Sequence, residues 1–210
     1  MRKIIFIGRT GTGKTTLTQA LKGKKITYHK TQYVNHFTDI IDTPGEYAEC
    51  RWLANGLFTY AYEADIIGLM LSATEEYSLY SPNSVATATR EVIGIVSKIN
   101  NPGARPDMAE IWLKNVGCKT IFFVDSVIGQ GVADVMLYLR DDSDVMPWET
   151  DGKKTKSHFF EENLIIDGDV RIVNRPERRR SEQISINDRW RLHRGLRSNG
   201  SVPSLANYRD

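Results

Sequence analysis

The most specific chemistry in the chain lies near its amino terminus, in Gly8, Arg9, Thr10, Gly11, Thr12, Gly13, Lys14 and Thr15. These residues satisfy the GxxxxGK[ST] pattern of a phosphate-binding (Walker A) loop at every fixed position, and Thr16 continues it. Glycines at such places let consecutive backbone N–H groups turn toward one anion, and the positive end of a following helix adds to the field. Lys14 supplies a full positive charge for the β- and γ-phosphates of a nucleotide. The Thr15 hydroxyl supplies a hard oxygen donor for Mg²⁺. The context fits as well. Ile4-Ile5-Phe6-Ile7 reads as a buried strand leading into the loop, and Leu17, Ala20 and Leu21 recur at helical spacing after it.

A second cluster follows about thirty residues on. Phe37–Asp42 reads as a strand, and Asp42-Thr43-Pro44-Gly45 has the Asp-x-x-Gly form of a nucleotide switch. In that role Asp42 holds Mg²⁺, through water, and the Gly45 N–H faces the γ-phosphate. Glu46 stands next, where it could orient water or begin the following helix. Farther along, Ser97-Lys98-Ile99-Asn100 and Val124-Asp125-Ser126-Val127 each follow a strand-like run. They occupy the order in which GTP-binding proteins place the [NT]KxD signature and its weaker supporting motif, so Lys98, Asn100, Ser126 and Val127 are the base-binding candidates. Asn100 departs from the Asp of that signature. Its amide carries one acceptor and one donor group. Turned donor-first toward guanine, it would leave an N–H unsatisfied, at about 1–3 kcal/mol. The same amide would complement xanthine, so the expectation is weakened guanine selectivity.

These residues need a scaffold of alternating strands and helices. Asp65–Leu71, Val92–Val96 and Thr120–Val124 are continuous apolar runs suited to buried strands. Helical patterns are expected over 46–64, in a short segment before Val92, through Met108, Ile111, Trp112 and Val116, and through Val132, Val135, Met136 and Leu139. Trp112 and Met136 fall on these stripes and read as core residues. The alternation predicts an α/β domain with a mostly parallel sheet and its site at the carboxyl ends of the strands.

Composition narrows the class further. Residues 1–150 carry 15 Lys/Arg against 17 Asp/Glu, a charge of −2, whereas 151–210 carry 13 against 9, a charge of +4. Cys50 and Cys118 are the only cysteines and lack any metal-ligand spacing, which argues against a disulfide framework. His29 and His36 likewise lack a third ligand and read as surface or packing residues. Only four apolar residues follow Met1-Arg2-Lys3, too few for a signal peptide, and no run approaches the roughly 18 apolar residues of a membrane helix. The expectation is a soluble cytoplasmic protein.

With these motifs in hand, the chain resembles the EutP/PduV family of ethanolamine- and propanediol-utilisation P-loop proteins. The resemblance rests on MRKIIFIGRTGTGKTTLTQALKG, the Tyr28–Gln32 segment, IIDTPGEY and SKIN, and it extends to about Arg140. It implies a Ras-like P-loop NTPase fold, a GTP or ATP cofactor with Mg²⁺, and association with bacterial microcompartments. It further implies that Thr31 is the switch threonine that meets Mg²⁺, although Thr27 and Thr38 lie nearby. The implied activity is Mg²⁺-dependent nucleotide binding with slow hydrolysis, with Lys14 and Glu46 catalytic, in a switch or accessory protein. Two alternatives are an ATP-dependent phosphotransferase acting on acetate, with His29, Lys30 or Arg51 beside the acceptor, and a non-hydrolysing scaffold gated by nucleotide. A microcompartment shell protein or enzyme is the implied partner. The short spacing from Lys14 to Asp42 predicts an abbreviated or missing second strand.

The resemblance stops before the tail. The expected nucleotide-binding domain covers 1–142, followed by a basic, partly disordered extension over 143–210. Within the extension, residues 163–173 read as a hairpin with Asp167-Gly168 as its turn signal. A lone hairpin is marginal in water, so this one needs a surface to pack on. Arg178-Arg179-Arg180 is set among acids and lacks a recognisable binding module, which disfavours nucleic acid.

Overall fold

A computed structural model describes residues 1–23, 35–36, 39–49, 60–140 and 164–176. At its centre is an eight-stranded sheet: β1 (Ile4–Ile7), β2 (Asn35–His36), β3 (Ile40–Asp42), β4 (Ile66–Ser72), β5 (Glu91–Ser97), β6 (Thr120–Phe123), β7 (Leu164–Asp167) and β8 (Val170–Val173). The spatial order is β2-β3-β1-β4-β5-β6-β8-β7. Parallel pairing joins β3, β1, β4, β5, β6 and β8, and only β2 and β7 run antiparallel to their neighbours. The second strand, expected to be abbreviated or missing, is described over Asn35–His36.

Helices α1 (Lys14–Leu21), α2 (Gly45–Glu49), α3 (Pro106–Val116) and α4 (Val132–Tyr138) complete the described unit, with a 3₁₀ turn over Ser84–Thr87. Continuous apolar strands mean that both sheet faces are covered. One face packs Ile4, Phe6, Ile93, Ile95 and Phe122 against Leu17 and Leu21 of α1 and Val135 and Leu139 at α4. The opposite face packs Leu69, Leu71, Val96, Ile121 and Phe123 against Ala109, Leu113 and Val116 of α3. That face of α3 differs from the expected stripe: Met108 and Ile111 are exposed, and Trp112 is partly buried at the edge of this core. The helix is rotated to bring Glu110 inward, where the hairpin supplies it with a cation. Met136 packs against the first core from a partly buried position. The short helix expected before Val92 is the 3₁₀ turn, and the helix expected over 46–64 is described only as α2 and at 60–62.

The hairpin is part of the sheet. Strand β8 lies parallel to β6, with Ile121 opposite Ile172, and Ile172 and Val173 are fully buried. Its two-residue loop is Gly168-Asp169, one position later than the Asp-Gly signal suggested, with Gly168 at φ 61°. Arg175 donates to Glu110 at 2.8 Å, and Lys114 reaches the same carboxylate oxygen at 2.8 Å. On the other sheet face, the Asn174 amide donates to Asp134. The compact unit consequently runs Met1–Pro176, and the boundary expected at 142 falls within it. Among the described residues no helix is long and apolar enough to cross a membrane.

Candidate functional site

The sheet places every described candidate at its carboxyl edge. The loop from Gly8 to Gly13 leaves β1 and runs directly into α1. Gly13, at φ 102°, adopts a left-handed conformation that side chains disfavour, and its carbonyl accepts the N–H of Leu17 to start the helix. Lys14 folds back over the loop, and its ammonium donates to the carbonyls of Gly8 at 2.8 Å and Arg9 at 3.0 Å. Burial pulls its pKa down to about 8, against the opposing pull of Asp42, Glu49 and Glu75. A phosphate arriving at this ammonium would therefore meet a cation already stripped of most of its water.

Thr15 and Asp42 meet at the next position. The Thr15 hydroxyl donates to the Asp42 carboxylate at 2.8 Å, and Asp42 is fully buried. Among the described residues no group of three or more His, Cys, Asp or Glu converges on one point. A hydroxyl and one carboxylate are hard oxygen donors of the kind Mg²⁺ uses when phosphate oxygens and water complete its shell. The donor set fits that ion. Thr43, next to Asp42, is buried and donates to the Phe6 carbonyl at 2.6 Å, which fixes the turn leaving β3 against β1.

Gly45 opens α2 against the phosphate loop. A Cβ placed on Gly45 would lie 2.2 Å from the Thr10 nitrogen, so only a hydrogen fits there. One turn later, the Glu49 carboxylate accepts the Thr10 N–H at 2.6 Å, taking one of the loop donors itself. Glu46 is solvent-exposed beside Gly45. Arg9 contributes its carbonyl to Lys14, whereas its guanidinium stacks 4.3 Å above the Tyr77 ring. Thr12 is tied down twice: its hydroxyl donates to Glu75 at 3.2 Å, and its carbonyl accepts the Ser97 hydroxyl at 2.6 Å. The second of these bonds links the phosphate loop to the strand that carries the base-binding candidates. Gly11 has φ 79°, and Thr16 is half-buried in the first turn of α1.

Lys98 follows β5 at φ 56°, in the left-handed region that non-glycine residues occupy at a cost of about 1 kcal/mol or more. Ile99 is buried, and Asn100 is exposed beside it. The Asn100 amide nitrogen donates to Asp125 at 3.1 Å and to the Gln130 side-chain oxygen at 2.9 Å. The donor group thus faces the protein, opposite to the orientation assumed when xanthine was the better complement. Ser126 is almost fully buried, whereas the Val127 side chain is exposed and its N–H donates to Asp125 at 3.1 Å. That N–H is thereby occupied within the protein. Thr31, His29, Lys30 and Arg51 lie outside the described residues.

Four contributors were not singled out from sequence: Glu49, Glu75, Gln130 and, as a base-site residue, Asp125. Only Asp125 carried a local signal, since it directly follows a strand. Tyr80 belongs with them structurally, because its buried hydroxyl donates to the carbonyls of Ile7 at 2.7 Å and Met70 at 3.0 Å. It ties β1 to β4, and burial raises its pKa well above the usual phenol value.

The family model described as ethanolamine utilisation–propanediol utilisation, PduV-EutP, matches residues 1–141. The chain belongs to the PduV-EutP family. "Propanediol utilization protein PduV" of Citrobacter freundii is 39% identical over 141 residues, covering 67% of this chain and 94% of that protein. "Probable acetate kinase EutP" of Salmonella typhimurium is 33% identical over 144 residues, or 66% of this chain and 89% of that one. More distantly, "GTPase Era" of Mycolicibacterium smegmatis is 32% identical over 119 residues, covering 46% of this chain and 40% of its own length. The family match ends before the hairpin of β7 and β8. The strand order from β2 to β6 and the likeness to Era agree on a Ras-like P-loop fold.

Proposed function

We propose that this PduV-EutP family member binds a nucleoside triphosphate with Mg²⁺ and hydrolyses it slowly, as a switch or accessory protein in ethanolamine or propanediol utilisation. The observation that carries the reading is the meeting of Lys14, on the Gly8 and Arg9 carbonyls, with the Thr15–Asp42 pair at the end of the same loop. On triphosphate binding the Lys14 ammonium exchanges those carbonyls for β- and γ-phosphate oxygens. The N–H groups of Thr10, Gly11, Thr12, Gly13, Lys14, Thr15 and Thr16 line the phosphates, and Glu49 gives up the Thr10 N–H. Thr15 and Asp42 hold Mg²⁺, with Thr31 as the further ligand the family resemblance implies. Bound there, Mg²⁺ would neutralise charge on the β- and γ-phosphates. Gly45 presents its N–H to the γ-phosphate, and Glu46 orients the attacking water. Lys98 and Asn100 contact the base together with the Ser126–Val127 turn. The close Gly45–Thr10 contact supports a switch role, because a γ-phosphate between them must move α2. A microcompartment shell protein or enzyme is the partner class.

Titration of Mg²⁺-triphosphate by calorimetry, together with a phosphate-release assay, tests the reading. Lys14→Ala should weaken binding by at least about 100-fold, the equivalent of two tenfold steps of 1.4 kcal/mol. Unchanged affinity in that variant would refute the assignment. A second reading, transfer of the γ-phosphoryl group to acetate, draws support from the name of the EutP relatives. It requires acetyl phosphate to appear when acetate is added with ATP. Phosphate release indifferent to acetate, with no acetyl phosphate formed, excludes it.

A further inference from the structure

We propose that Asp125 and Gln130 fix the Asn100 amide with its oxygen outward, which makes Asn100 an acceptor that selects guanine. The inference rests on the triphosphate-binding reading above. An ionised carboxylate can only accept hydrogen bonds. Whatever faces Asp125 from position 100 must therefore donate, which assigns the amide nitrogen to that side. Gln130 then turns its own oxygen to the same nitrogen, at 2.9 Å, so both Asn100 N–H groups are consumed within the protein. Asp125 is itself held in place. It is 7% exposed, one carboxylate oxygen accepts the Val127 N–H at 3.1 Å, and its backbone N–H donates to the Gln130 carbonyl at 2.9 Å. The amide cannot reverse without setting its oxygen against the Asp125 carboxylate, which has no proton to offer. No hydrogen bond to the Asn100 side-chain oxygen is formed among the described residues, and Asn100 is exposed, so that acceptor faces outward.

The consequence concerns the edge of the purine. Guanine offers adjacent N1–H and N2–H donors, which one carbonyl oxygen can accept together. Xanthine offers N1–H beside a carbonyl and retains half of that contact. Adenine offers an unprotonated N1, which an oxygen repels. A site with a fixed acceptor therefore ranks guanine above xanthine and xanthine above adenine. The negative charge has moved one shell back, from position 100 to position 125.

This arrangement reverses the expected effect of restoring an acid at position 100. Asn100→Asp would place a second carboxylate against Asp125, two like charges in the place of a donor and an acceptor. Competition binding against a fluorescent triphosphate with Mg²⁺, using GTP, XTP, ATP and inorganic tripolyphosphate, reads all of this in the full chain. Wild type should bind GTP at least about tenfold more tightly than ATP, with XTP between them. Asn100→Asp should lose about tenfold for GTP, and Asn100→Asp with Asp125→Asn should recover to within about threefold, because the donor is then supplied from position 125. Gln130→Ala should narrow the GTP-to-XTP ratio without changing tripolyphosphate binding. Tighter GTP binding by Asn100→Asp alone overturns the proposal, as does a wild type that prefers XTP. Equal affinity for all three nucleotides and tripolyphosphate overturns it while leaving the phosphate site intact. If neither nucleotides nor tripolyphosphate bind, the underlying triphosphate reading has failed and this inference fails with it.

Discussion

Replacing Gly45 with alanine tests the junction on which the proposed switch depends. The new methyl carbon would sit 2.2 Å from the Thr10 nitrogen, 2.4 Å from its Cα and 2.6 Å from its hydroxyl oxygen. Two of those atoms are backbone, so no side-chain rotation relieves the clash. The phosphate loop and the start of α2 must part by roughly 1.2 Å, from 2.2 Å to ordinary contact at 3.4 Å. Overpacking of this size costs about 1–3 kcal/mol, and the separation also strains the Glu49–Thr10 hydrogen bond. Asp42 precedes Gly45 by only three residues, so the Thr15–Asp42 pair moves with the same turn. A misplacement near 1 Å at reacting groups lowers turnover by about 100-fold. Urea denaturation of the unliganded variant should therefore show a loss of about 1–3 kcal/mol. Single-turnover phosphate release should fall by about two orders of magnitude, while Lys14 continues to bind triphosphate. Wild-type turnover together with an unchanged urea midpoint would refute this reasoning, because it would mean that the contact relaxes freely.

Burial lowers the Lys14 pKa from 10.5 to about 8, so the unfolded chain holds more protons between those values and stability rises with pH across that window. Triphosphate affinity should run the other way, falling from pH 7 to 9.5 as the ammonium is lost, with proton uptake on binding near pH 8–9. Lys14→Met should be more stable than wild type at pH 7 and lose that advantage toward pH 10, as followed by thermal denaturation; a difference independent of pH would contradict it. Next to the hairpin, Arg175→Ala leaves the 2%-exposed Glu110 side chain with Lys114 as its remaining cation among the described residues. A loss of about 1–3 kcal/mol in urea unfolding is expected, and an unchanged midpoint would show that the hairpin does not stabilise the main sheet.

Features legible in the sequence were those in which local geometry follows from neighbouring residues. The phosphate loop is one: GxxxxGK[ST] between an apolar strand and a helical repeat specifies backbone direction, cation and hydroxyl within eight positions. Asp42 and Gly45 were legible for the same reason, as were the strands that became β4, β5 and β6. The face of α3 was less so, because Met108 and Ile111 have helical spacing and nothing local reveals that Glu110 would be drawn inward by Arg175, 65 residues away. The hairpin was readable as a hairpin, but its attachment to β6 was not, since β8 supplies no signal for a parallel neighbour some fifty residues earlier.

Asn100 marks the division most clearly. By itself the sequence determined that an amide stands where an acid is usual, and therefore that one donor group and one acceptor are present. Which of them is turned inward depends on Asp125 and Gln130, 25 and 30 residues distant, whose acceptors claim the nitrogen. The closing of α2 on the phosphate loop belongs to the same class, because Gly45 and Thr10 become neighbours only when β3 pairs with β1. Residue type and local spacing set which groups are available. The orientation of a hydrogen-bonding group is set by whatever partner the folded chain brings to it, and that is a property of tertiary structure alone.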